Sequence, residues 1–296
     1  MFSALKSFLF LIAVVAVSAC VGQSNIQGTA SQFSQATLTA ASAEDAFLAD
    51  VNKTGATANN ALVREQWIRK RTSLQPESLD APKPVISPAA ANSIGTLVDA
   101  IRLYGQALQA LAADGATTSL GQNATTLVSS LQGLDQTIQA LAVPGKPPVL
   151  ASSQVNFVVA GINNITGFVL GKIIARDVEQ AASARGDDLK AIVGALKLIN
   201  VAYGGVAADN FDAFKLANLA VLRSPASNLT DFNALTTEIV QARAQADPAK
   251  VNAALDALVQ ANTAVATAGP GGALAQVQGF AQAATNAYNF YAAAAK

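Results

Sequence analysis

Seven positions, Leu120, Ala124, Leu127, Leu131, Leu134, Ile138 and Leu141, step along the chain by fours and threes without a miss. In a helix of about 3.6 residues per turn such steps keep every side chain on one stripe, so this spacing describes a helix with one buried face. The same stepping recurs at Val251, Leu255, Leu258, Asn262 and Val265, and again at Leu274, Val277, Ala281, Ala284, Tyr288 and Tyr291. Ile94, Leu97, Ile101, Leu108 and Leu111 mark a further stripe. No long stretch alternates with period two, so essentially no sheet is expected. The expected fold class is all-α: an antiparallel bundle of long amphipathic, Ala-rich helices packed lengthwise at small, coiled-coil-like crossing angles.

Proline and glycine divide the pattern. Ser87-Pro88, Ser224-Pro225 and Asp247-Pro248 each place a capping residue before a proline suited to the first helical turn. Asp114-Gly115 and Ala268-Gly269 supply glycines for left-handed C-caps. The Pro-rich runs 76–88 and 144–148 interrupt helices. These signals predict helices near 31–72, 88–114, 117–143, 148–184, 187–223, 225–246, 248–268 and 272–295, with Gly204-Gly205 a possible break in the fifth. Residues 31–296 read as a single helical domain.

Composition removes several kinds of chemistry. The chain has no histidine and one cysteine. Ser-His-Asp and Cys-His systems, imidazole bases and most zinc or copper sites are therefore excluded. The only S-x-x-K match is Ser3 to Lys6, within the N-terminal apolar region. The 19 cations and 19 acids balance, and losing Lys6 would leave a net charge of −1. That balance argues against nucleic acid as a partner, because such binding rests on many phosphate contacts. The expectation is a non-enzymatic protein without a cofactor or metal.

The N-terminus has three zones: a short start carrying Lys6, an unbroken apolar run over 8–17, and small residues before Cys20. That order describes a secretory signal peptide, and the run is too short to span a bilayer. Val17-Ser18-Ala19-Cys20 resembles the lipobox of bacterial lipoproteins, with Val17 where leucine is commonest. The resemblance covers only about the first 21 residues. It implies cleavage before Cys20, with diacylglycerol on its sulfur and an acyl chain, typically palmitate, on the new amino terminus. Val21 stands where an aspartate would favour inner-membrane retention, so the resemblance implies the periplasmic side of the outer membrane. Several acyl chains make a stable anchor, since each buried CH₂ contributes about 0.8 kcal/mol. An ordinary cleaved signal with an incidental cysteine is the alternative. Residues 1–19 are thus read as a signal peptide and 20–30, polar and Gly-containing, as a flexible tether.

Three further features could carry function. Residues 149–175 are strongly apolar and include Gly167-x-x-x-Gly171, and 189–208 is a second apolar stretch. Together they resemble, in layout only, the hydrophobic hairpin of cytolysin-A-type helical pore-forming proteins. Asn156, Asn163 and Asn164 oppose insertion, as do the charges between Arg176 and Lys190, which the sequence reading places in the connecting turn. A buried pair of core helices is the simpler account. Thr166 to Lys172 has the wrong glycine spacing for a phosphate-binding loop, and no strand precedes it.

Arg64, Trp67, Arg69, Lys70 and Arg71 form the one basic cluster, a candidate contact for anionic headgroups. A solvated helix end, with Glu65 and Arg69 paired, is the plainer account. Asp209 and Asp212 share a helix face and are the remaining candidate for carboxylate chemistry. The resulting expectation is a lipid-anchored envelope lipoprotein with a structural or protein-interaction role, its partner an envelope protein or a second copy. The alternative is a membrane-active protein that inserts the 149–208 region.

Overall fold

The computed structural model describes residues 2–69, 84–113, 118–141, 147–171, 177–223, 229–242 and 246–294, without the side chains of 2–24, Arg69 and several helix-end residues. The described residues form nine helices and no strand: α1 Phe2–Arg69, α2 Pro88–Ala112, α3 Thr118–Ser130, α4 Leu134–Gln139, α5 Ser152–Leu170, α6 Val178–Leu222, α7 Leu229–Ala242, α8 Ala249–Gly272 and α9 Leu274–Ala294. The chain is an all-α bundle.

Local chemistry sets the ends. Ser87 caps α2 by accepting from the Ala90 N–H at 3.2 Å, with Pro88 in the first turn. Asp177 caps α6 by accepting from the Gln180 N–H at 2.6 Å. Gly133, at φ 76°, separates α3 from α4 where one helix was expected over 117–143. Gly269, at φ 67° before Pro270, breaks the helical path of α8 at the anticipated C-cap. The Ser224-Pro225 and Asp114-Gly115 signals lie outside the described residues.

Three boundaries differ from the sequence reading. Helix α1 continues through 20–30, where a flexible tether was expected. The connection between α5 and α6 falls at 171–177, not near 185. Arg185, Asp187, Asp188 and Lys190 consequently lie inside α6, where Arg185 pairs with Asp188 and Lys190 with Asp187, each at 3.1 Å and three residues apart. Gly204-Gly205 does not break α6, which is continuous for 45 residues. The helix therefore carries two interior glycines at about 1 kcal/mol each.

Pair contacts fix the directions. α1 and α6 run parallel, since Glu44 meets Asn200 and Arg64 meets Asn218. α9 also runs parallel to α1: Phe33 packs on Phe280 at 5.8 Å between ring centroids, and Phe47 on Tyr291 at 5.4 Å. α2 runs antiparallel to α1, with Gln109 beside Ser31 and Arg102 beside Asp45. α8 runs antiparallel to α6, through Lys197–Asp256 and Asn200–Asn252. Phe33, Phe47, Tyr104, Phe280 and Tyr291 fill the core, each almost wholly excluded from water. Around them lie alanines, among them Ala43, Ala107, Ala254 and Ala284. Each buried ring contributes about 1.5–3 kcal/mol, and the small residues between them permit close helix approach.

Candidate functional site

The sequence candidates do not converge. Cys20 lies on the α1 backbone, and its side chain is outside the described residues. Arg64 stands 44 residues further along the same helix, about 66 Å away at 1.5 Å per residue. Arg64 is turned to the bundle: it lies 3.6 Å from Glu238 of α7 and donates to the Asn218 Oδ1 at 3.5 Å. Its charge thus joins α1, α6 and α7. Glu65 is engaged as well, and Trp67 is 53% exposed. The Arg69 side chain, Lys70 and Arg71 lie outside the described residues.

The apolar 149–208 region contributes largely to the core. Val155, Val158, Ile162, Ile165 and Val169 of α5, and Leu189, Ile192, Leu196 and Ile199 of α6, are buried. α6 is the one described helix long and apolar enough to cross a membrane, and half of its most apolar window is buried in the protein. Gly167 is exposed with open space around it, so it mediates no close helix approach. Gly161 does that instead, lying against the Asp188 backbone. Asn156 and Asn163 face solvent, and Asn164 donates to Asp188 Oδ1 at 2.9 Å. Some apolar side chains remain outside: Phe157 is 69% exposed, Val201 58% and Leu216 64%. Leu198, Val201, Leu216 and Leu219 share one stripe of α6 at helical spacing.

Asp209 and Asp212 both sit in solvent, and Asp212 pairs with Lys215 at 2.6 Å. The described recesses lie elsewhere. Three follow the side of α2 where it meets α3 and α4, with volumes of about 230, 310 and 570 Å³ and linings rich in amides and hydroxyls such as Gln106, Asn123 and Thr126. None of them contains Asp209 or Asp212, so the carboxylate pair has no cleft there. Among the described residues no three His, Cys, Asp or Glu side chains are grouped to hold a metal.

Two polar clusters inside the core escaped the sequence reading. In the first, Tyr104 of α2 donates from its hydroxyl to Asn262 Oδ1 of α8, whose Nδ2 donates to the Ala182 carbonyl of α6 at 3.3 Å. In the second, Glu44 is buried in α1 with its Oε2 accepting from Asn200 Nδ2 at 3.1 Å. Asn200 donates as well to Asn252 Oδ1 at 3.1 Å. Burial pushes the Glu44 carboxyl up to about 8, against the hydrogen bond from Asn200 and with help from the nearby charge of Asp45. Close by, Asp50 accepts from the Ala246 N–H at 2.6 Å, and burial raises its carboxyl too. The Tyr291 hydroxyl donates to the Asp247 carbonyl. A signal for Glu44 existed: it interrupts an otherwise unbroken four-and-three stripe of Phe33, Thr37, Ala40, Phe47 and Val51.

Set against known protein families, curated proteins and solved structures, the chain matches none.

Proposed function

We propose that this chain is a lipid-anchored envelope lipoprotein that acts by protein contact and without catalysis. The observation that carries this reading is Val17-Ser18-Ala19-Cys20 directly after an apolar run. In it, Cys20 bears the diacylglycerol and the acylated amino terminus, and the bundle stands on the periplasmic side of the outer membrane. Helix α1 supports a display role, because the segment after Cys20 leads into the core and then along the whole bundle. The outward stripe of α6, with Leu198, Val201, Leu216 and Leu219, is the surface offered to an envelope partner or a second copy. Arg64 lies toward the end of α1 remote from Cys20 and is engaged by Glu238 and Asn218, which favours its structural use over contact with headgroups of the same leaflet.

The test is mass spectrometry of the purified protein's N-terminal peptide. A Cys20 N-terminus carrying a diacylglyceryl thioether is the expected result, with Cys20→Ser left uncleaved and unlipidated. A processed chain with an unmodified thiol would overturn the anchor. Cross-linking in intact source cells then reads the partner: one dominant species lost in Cys20→Ser marks an anchored adaptor, whereas self-cross-links that persist mark assembly.

A second reading draws on the length and apolarity of α6: insertion of the 149–208 region into a bilayer. It predicts dye leakage from liposomes, abolished by a charge at Val158 or Ile162. Both side chains are buried in the core, so insertion would first have to separate α5 from the bundle.

A further inference from the structure

Glu44 and Asn200 each bury an acceptor that finds no partner. Glu44 Oε1 and Asn200 Oδ1 are enclosed and unbonded, although the same two side chains are joined through Oε2 and Nδ2 at 3.1 Å. Two enclosed acceptors without a donor are costly, because each has given up its water without a replacement. A carboxylic acid and a primary amide can form a closed ring of two hydrogen bonds, N–H to the acid carbonyl and O–H to the amide carbonyl. Here the N–H bond of such a ring is present, and the two oxygens its other bond would join are the two left without a donor. We propose that Glu44 is carried as the neutral acid in the folded bundle, its Oε1–H donating to Asn200 Oδ1, so that the α1–α6–α8 contact is a proton-dependent latch that loosens as pH rises.

The surroundings favour the neutral form. On its own helix Asp45 opposes a second negative charge. On α2, Arg102 is taken up by Asp45 at 2.5 Å and Asp99 at 2.7 Å. On α6, Lys197, three residues before Asn200, pairs with Asp256 of α8 at 2.5 Å. From the segment before α8 comes Asp247 and from α9 Tyr291, whose hydroxyl is already committed to the Asp247 carbonyl and receives the Val251 N–H. Asp50, the other buried acid of α1, is itself turned toward neutrality. No cation pairs with Glu44 among the described residues.

The direction follows from linkage. The folded carboxyl holds its proton to about pH 8, and the unfolded one releases it near 4.5. Stability from this group is therefore fully present below the unfolded value, falls as pH rises toward the folded value, and levels off above it. Across that window the unfolding equilibrium constant rises by up to about tenfold per pH unit.

The test uses the full chain in detergent micelles. Glu44→Gln replaces the acid O–H by an amide N–H and keeps both bonds of the ring. It is expected to match wild type in urea unfolding at pH 5, and at pH 8 to have an unfolding constant at least about tenfold smaller, with a flatter pH dependence. An unchanged pH slope, or lower stability than wild type at pH 8, would overturn the latch. Should the variant not fold, carbon-13 NMR of wild type labelled at the glutamate side-chain carboxyl decides. One glutamate still neutral at pH 6.5 supports the latch, and release of every glutamate proton in the ordinary acid range sinks it.

Discussion

Asn262 shows what a single polar side chain does inside this core. It is almost fully buried, accepts the Tyr104 hydroxyl and donates to the Ala182 carbonyl, and so ties α8 to both α2 and α6. Its two bonds hold three helices in one lengthwise register. Tyr104→Phe should lower unfolding stability by about 1–3 kcal/mol, because Asn262 Oδ1 is then buried without a donor. Asn262→Leu alone should cost as much or more, since it strands the Tyr104 hydroxyl. The double variant should recover part of the loss, and a cycle of urea unfolding curves measures that coupling. Strict additivity of the two changes would mean that the bond contributes nothing. The sequence reading placed Asn262 in an apolar stripe, so its burial was legible. Its partner was not: Tyr104 lies 158 residues away, and spacing within one helix carries no information about pairing at that range.

At the scale of the element, α6 tests how glycine should be read. Gly204 and Gly205 are adjacent, and as a pair they suggest a break; the helix passes through both. Their reasons for being small differ. A Cβ on Gly204 would lie 2.7 Å from Pro248 Cδ and 2.8 Å from its Cγ, whereas one on Gly205 meets nothing within 4 Å. Gly204→Ala must therefore push α8 away from α6, at about 1–3 kcal/mol. Gly205→Ala should stabilise by about 0.5–1 kcal/mol through helix propensity alone. Thermal melts of the two variants should thus move in opposite directions; a shift of the same sign in both would remove the packing argument. Most helices and their apolar faces were readable from the four-and-three spacing, because that signal is local. The turn between α5 and α6 was misplaced because the charges of 185–190 look like a solvated loop. In the protein they lie within α6 in ion pairs three residues apart, and Asp177 supplies the cap that starts the helix earlier.

The whole molecule is built unevenly along its length. The main core follows α1 as far as Val51 and α6 as far as Ala207. Beyond that level the two helices continue side by side as an arm with a separate small cluster, Ala58, Ala61, Phe214 and Ala217, flanked by Phe211 and Ile239. One buried phenylalanine among alanines offers little apolar area, and the arm's polar links, Arg64 to Glu238 and Asn218, are long. Local opening follows such differences in burial, so the arm should open without the bundle. Hydrogen exchange read by mass spectrometry should show residues 55–68 and 210–222 exchanging at least about tenfold faster than 33–51 and 189–203. Phe214→Ala should accelerate exchange in the arm and leave the core within about twofold of wild type. Equal rates along α1 and α6 would mean one cooperative unit, with the arm stabilised as firmly as the core. In the lipoprotein reading the anchor and the arm occupy opposite ends of α1. The end remote from the membrane is then the end best able to rearrange around a partner, and a bound partner should slow exchange first at 55–68 and 210–222.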